Sequence, residues 1–167
     1  MVELPKRKST RLSGWDYSTP GAYFVTICTH EKRCILSEIH VGEQLAAPET
    51  RLSPLGQIVE TQLLALPKRF PTLRLDQYVI MPNHVHLLLT IPESAGGASS
   101  SPTIVSAVQA LKSQTARLCS AAYGFKPLWQ RSFHDHVVRG EADYQAIREY
   151  MENNPAKWAE DRYYTAE

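Results

Sequence analysis

Two apolar runs separated by a single turn, "LDQYVIM" and "HVHLLLTI", constrain this chain more than any other feature. Each is too short for a core helix, and Pro82-Asn83 between them predicts a tight turn. On a strand, alternate side chains share a face. His84, His86 and Leu88 then point one way, and Val85, Leu87 and Leu89 the other. A chain built on this pair must form a sheet, and one face of that sheet carries two imidazoles side by side. They are either a chelate for one metal ion or two polar residues on a half-exposed surface, and the strand alone leaves both open.

The remaining periodicities supply the other elements. "GAYFVTICTH" (21–30) reads as a strand, and "CILSEIHVG" (34–42) as its hairpin partner. Ser53 as N-cap and Pro54 at the first helical position open a helix through "SPLGQIVETQLLALPKRF", which Pro67 ends or kinks. "PESAGGASSSP" reads as a flexible connector over 93–102. A second amphipathic helix follows, with Ile104, Val105, Val108, Leu111 and Leu118 as its stripe. "FHDHVVR" (133–139) reads as a last strand, and "EADYQAIREYMEN" (141–153) as a last helix stopped by Asn154-Pro155. The order predicts an α+β fold, a ferredoxin-like split-βαβ sandwich with helices packed on an antiparallel sheet. The last helix is expected beside the face that holds His84 and His86.

Residues 1–167 read as one domain with an N-terminal arm over 1–20, since 167 residues with 43% apolar content suit a single core. A net charge of +1 argues against coating nucleic acid by bulk charge, although "PKRKSTR" (5–11) gathers basic residues. Cys28, Cys34 and Cys119 form no CxxC pair, which suggests buried thiols in a reducing compartment. With no secretory signal and no membrane-length apolar run, the expectation is a soluble cytoplasmic protein.

The last helix carries the second half of the chemistry. Tyr150 and Asn154 are four residues apart, on one helical face, with Ile147 on the same side to anchor it. Packed against His84 and His86, they would assemble two neutral nitrogens, an amide oxygen and a phenol. Mixed nitrogen and oxygen ligands suit an octahedral ion such as Mg²⁺ or Mn²⁺, which polarises a phosphate, and the phenol supplies a nucleophile.

The stretches "RLSGWDYSTPGAYFVTICT", "LDQYVIMPNHVHLLL" and "LWQRSFHDHVVRGEADYQAIREYMENNPAKW" together resemble the HUH-type tyrosine transposases acting on single-stranded DNA, and most closely the branch of REP-associated tyrosine transposases with an IS200-like domain. The resemblance implies that His84 and His86 bind the metal, that Asn154 is a third ligand, and that Tyr150, on the C-terminal helix, is the nucleophile. It implies cleavage and rejoining of single-stranded DNA through a 5′-phosphotyrosine bond and a free 3′-OH, without an external energy source. The expected partner is hairpin-containing single-stranded DNA. Relatives of this kind act as monomers or as dimers with exchanged helices, so a homodimer with a composite site falls within the expectation.

Rival residues exist. His134 and His136 alternate as well as the first pair, with Asp135 on the opposite face, and the resemblance assigns them at most an indirect role. Tyr144 and Tyr150 are six apart and point to different sides of the helix, while Tyr163 and Tyr164 fall in a tail expected to be disordered. Lys112, Arg117, Lys126, Arg131 and Arg139 are candidate phosphate contacts, and Trp129 and Phe133 candidate stacking surfaces for unpaired bases, each set against the alternative of a solvated surface charge or a core aromatic. The alternative of another class is a hairpin or single-stranded DNA-binding protein derived from such an enzyme that does not cut. A small-molecule metallohydrolase ranks last, because Glu149 and Glu152 flank Tyr150 without sharing its face.

Overall fold

The structure is a computed structural model that describes residues 12–41, 47–95 and 103–165. Its centre is the pair read first from the sequence. β4 (Arg74–Ile80) and β5 (His84–Ile91) run antiparallel across a tight turn at Pro82-Asn83, with Ile80 opposite Val85. β1 (Gly21–Cys28) lies on the other side of β5, and β6 (His134–Val137) closes the sheet in the order β4-β5-β1-β6. All three pairings are antiparallel. The α+β expectation is met.

Both faces of this sheet are covered. On one, Tyr23, Val25 and Ile27 of β1 and Val85, Leu87 and Leu89 of β5 pack against two helices, α1 (Pro54–Leu64) and α3 (Ile104–Tyr123). On the other, Leu88 packs against Ile147 and Met151 of α4 (Gly140–Asn153). β5 is therefore buried on both sides, which explains why its sequence is apolar almost throughout. Of its polar residues, His84 and His86 face the α4 side.

α1 starts at Ser53, whose hydroxyl accepts from the Gly56 backbone N–H at 3.0 Å. Gly56 is required by contact, since a Cβ there would lie 2.0 Å from the Leu36 carbonyl oxygen. The helix ends at Leu64 with Ala65 as its C-cap, close to the stop or kink expected at Pro67. A second short helix, α2 (Leu66–Arg69), carries Pro67 in its first turn. Proline lacks an N–H and its ring clashes with the carbonyl four residues back, so it sits more easily at a new start than inside α1. α3 is capped by the Thr103 hydroxyl on Ser106 N–H and ends at left-handed Gly124.

The hairpin expected between β1 and the Cys34–Gly42 stretch does not form. A 3₁₀ turn (His30–Lys32) follows β1 instead, with Glu31 and Lys32 at positive φ. The N–H groups of Ile35 and Leu36 then both donate to the Pro82 carbonyl, tying this segment to the β4–β5 turn. β2 (Ser37–His40) pairs with β3 (Glu49–Leu52) in a separate two-stranded sheet. The physical reason is competition for β1, whose two edges are taken by β5 and β6. The expected connector begins with a 3₁₀ turn (Glu93–Ala95). Its remainder, the basic cluster at 5–11 and Gly42 lie outside the described residues.

Candidate metal and nucleophile site

His84 and His86 stand side by side on β5, nearly inaccessible to solvent, with their Nε2 atoms 3.0 Å apart. Each Nδ1 is engaged. That of His84 lies 2.8 Å from the Asn83 side-chain oxygen, and that of His86 lies 2.8 Å from the Thr26 hydroxyl. Burial holds His84 down to about 4, against the opposing pull of the Asp161 carboxylate. Burial, then the neighbouring His84, holds His86 well below the ordinary imidazole value. Both rings are thus neutral at neutral pH, the form that ligates a metal.

α4 brings the phenol and the amide. The Tyr150 hydroxyl lies 3.4 Å from His86 Nε2 and 3.3 Å from Asp161 Oδ2. The Tyr150 ring meets that of His86 edge-on at 5.4 Å. Burial and the adjacent Asp161 charge push its phenol up to about 12, so without a cation nearby it is a poor nucleophile. Asn154 is buried, and its Nδ2 donates to Asp161 Oδ2 at 2.7 Å. That bond fixes the amide's orientation and leaves Oδ1 buried with no hydrogen-bond partner.

This donor set fits a divalent cation. An orphaned buried amide oxygen costs free energy unless something positive meets it. His84, His86 and Asp161 each offer a ligand atom, and these atoms all lie within 4.8 Å of one another. Adjacent ligands of an octahedral ion with bonds of about 2.1 Å lie about 3.0 Å apart, the spacing of the two Nε2 atoms.

Sequence reasoning missed the segment after α4. Residues 155–165 are folded back over the histidines rather than trailing away. Tyr163 is buried, with its ring 4.7 Å from that of His84, and Asp161 reaches both Tyr150 and Asn154. Tyr150 and Arg162 line two adjoining cavities, of about 490 and 400 Å³. The only sequence signal for this return is Asn154-Pro155, which stops the helix without saying where the chain goes next.

The rival histidines share the sheet face but not the chemistry. His134 and His136 flank β1 opposite Thr26 and Phe24. His136 Nε2 pairs instead with Asp143 Oδ2 at 2.8 Å, and Asp135 accepts from the Tyr17 hydroxyl. Tyr144 bonds Asp76 on β4, so of the two α4 tyrosines Tyr150 alone reaches the histidines.

The expected DNA contacts divide. Lys112 is a correction: its ammonium donates to the carbonyls of Gln130, Arg131 and Ser132, bracing that loop. Trp129 is another, since it is buried with its indole N–H on the Thr115 hydroxyl, and Phe133 is likewise in the core. Arg117 is exposed on α3, across the sheet from the histidines, and Lys126 is exposed just beyond that helix. Arg131 and Arg139 are exposed on either side of β6. Among the described residues, no helix is long and apolar enough to cross a membrane.

Comparison with known proteins adds identity to geometry. Residues 68–154 match the family described as Transposase IS200 like, a span that includes His84, His86, Tyr150 and Asn154. An uncharacterised protein of Haemophilus influenzae is 33% identical over 95% of this chain and 93% of its own length. A REP-associated tyrosine transposase of Escherichia coli is 30% identical over 54% of this chain, which spans about half (48%) of that protein. Among solved structures, a REP-associated tyrosine transposase bound to a REP hairpin superposes with a TM-score of 0.61 at 21% identity, covering 89% of this chain and 74% of that one. That likeness bears on the fold.

Proposed function

The chain belongs to the Transposase IS200 like family, and from that premise we propose that it is a metal-dependent transesterase that cleaves and rejoins single-stranded DNA through Tyr150. One observation carries the reading: a half-exposed phenol on α4 converges with two buried neutral imidazoles and an unpartnered amide oxygen. Tyr163 is also near, but it is buried, whereas Tyr150 is 40% exposed and open to a substrate phosphate.

His84, His86 and the Asn154 oxygen would hold Mg²⁺ or Mn²⁺, with the Asp161 carboxylate within reach of the same point. When bound, such an ion polarises the scissile phosphate and favours the phenolate. The chain's own part is positioning and proton transfer. Asp161 Oδ2, 3.3 Å from the Tyr150 hydroxyl, accepts its proton as the phenol oxygen bonds to phosphorus. The bond from phosphorus to the 3′-oxygen breaks, and that oxygen leaves as a 3′-OH after taking up a proton. A 5′-phosphotyrosine remains. Attack by a 3′-OH reverses these steps and releases Tyr150. Arg162, on the rim of both cavities, is placed to meet the phosphate backbone, with Arg131 and Arg139 as further contacts beside β6. The solved relative holds a REP hairpin, which makes hairpin-bearing single strands the substrate class to test.

The test is incubation with a pool of single-stranded hairpin DNAs and Mg²⁺ or Mn²⁺, read as covalent adduct on a denaturing gel. Wild type is expected to form an adduct and Tyr150→Phe none. Adduct in both would move the nucleophile, with Tyr163 next in line. Tight binding with no adduct would favour a hairpin-binding protein that does not cut.

A further inference from the structure

The two imidazoles are held by different chemistry, and the difference governs how the pair can accept a cation. Asn83 is fully buried, and its Nδ2 donates to the backbone carbonyls of Tyr163 at 2.8 Å and Lys32 at 3.2 Å. Turning the amide over would set its oxygen against both carbonyl oxygens. Oδ1 therefore faces His84 Nδ1 at 2.8 Å and can only accept. His84 must carry its proton on Nδ1, leaving Nε2 bare.

That bare nitrogen faces His86 Nε2 at 3.0 Å. Two bare nitrogens at this distance repel, so with no cation between them His86 must supply the hydrogen, from Nε2–H. His86 Nδ1 is then bare and accepts from the Thr26 hydroxyl at 2.8 Å. A cation requires the opposite arrangement, with both Nε2 atoms bare and the His86 proton on Nδ1. The Thr26 hydroxyl can serve both states, because a hydroxyl rotates between donor and acceptor and an amide does not.

We propose that Asn83 is a positioning residue that locks His84 as the Nδ1–H form, while Thr26 lets His86 move its single ring proton from Nε2 to Nδ1 when a divalent cation enters. The ring stays neutral throughout: one N–H bond breaks, another forms, and solvent carries the proton between them. The cation step rests on the proposed function; the forms without a cation do not.

Long-range ¹H–¹⁵N spectra of the full chain with ¹⁵N-labelled histidine test this directly. At neutral pH without metal, the unprotonated nitrogen is expected at Nε2 of His84 and at Nδ1 of His86. On adding Zn²⁺ or Mg²⁺, the His86 pattern should invert and that of His84 should not. Thr26→Val, nearly isosteric, should weaken cation binding by about 10–100-fold, the usual effect of removing a group that holds a ligand. Thr26→Ser, which keeps the hydroxyl, should restore it. Asn83→Ala should leave His84 a mixture of both forms. A wild-type His84 already mixed, a His86 carrying Nδ1–H without metal, or a Thr26→Val protein binding as tightly as wild type would each overturn the proposal. If the ions shift neither ring, the exchange and the metal reading fail together, while the metal-free spectrum still judges Asn83 alone.

Discussion

The chain contains the same three-residue pattern twice, on one face of one sheet, and only one copy is built as a candidate metal site. His84 and His86 lie on β5, flanked by β1 and β4 and roofed by α4 and the returning 155–165 segment. His134 and His136 lie on the edge strand β6, and His136 is spent on Asp143. Alternation places two imidazoles together in either case. What separates them is what other elements deliver: buried partners on each Nδ1, a carboxylate, and an amide oxygen with nothing to bond. Spacing offers a chelate, and the surroundings decide whether one exists.

The strongest way to break this comparison is to delete each pair. His84→Ala or His86→Ala is expected to lower covalent adduct by more than about 10³-fold, since the cation's share of such catalysis is several kcal/mol. His134→Ala and His136→Ala should each stay within a few-fold. Equal losses from both pairs, measured on the same hairpin DNA, would mean that the edge pair belongs to the site.

Acid should also reveal the surroundings of the buried pair. Without metal, His84 is held at about 4 in the folded chain against about 6.5 for a free imidazole. The unfolded chain takes up the proton first as pH falls. The stability this histidine contributes is therefore present above about 6.5 and is lost as pH drops towards about 4. The change is at most roughly 3 kcal/mol. Denaturant midpoints of metal-free protein across that window should fall, and His84→Gln should flatten the fall. An unchanged slope in His84→Gln would remove His84 as its source.

A smaller effect separates the two acidic neighbours. Asp161→Asn keeps an acceptor for the Asn154 amide but removes the charge, and should weaken cation binding by about tenfold, or about 1.4 kcal/mol. Asp143→Asn should leave it unchanged. Calorimetric titration with Mn²⁺ reads both, and no loss in Asp161→Asn would take the carboxylate out of the ligand set.

The contrast also marks how much could be read in advance. His84 with His86, and Tyr150 with Asn154, were legible because periods of 2.0 and 3.6 place each pair on one face. β4, β5, α3 and α4 were legible through alternation, caps and breakers. The partners of β1 were not, since strand pairing between segments far apart in sequence leaves no local mark, and "ETRL" in β3 has no apolar alternation. Asp161, Arg162 and Tyr163 escaped for the same reason. Their place depends on Asn83 holding the Tyr163 carbonyl, a contact 80 residues apart in sequence. Lys112 and Trp129 stand as candidate DNA contacts in the sequence because composition cannot reveal that three carbonyls and a threonine await them.

The least effect expected, and the sharpest statement of what the edge pair does, comes from Asp143→Ala. Asp143 Oδ2 accepts from both His136 Nε2 and the Arg139 backbone N–H, each at 2.8 Å, at the start of α4. It therefore caps the helix that carries Tyr150 at its far end. Losing a cap of this kind costs about 0.5–1 kcal/mol, and the exposed hydrogen bond to His136 adds little. Adduct formation should stay within about twofold, because α4 is held near the site by Ile147 and Met151 against Leu88 rather than by its first turn. His136→Ala should cost less stability than Asp143→Ala, since it leaves the backbone bond intact. If Asp143→Ala instead removed adduct while the chain stayed folded by circular dichroism, the edge histidines would be acting on the reaction through α4, and the division between the two pairs would fall.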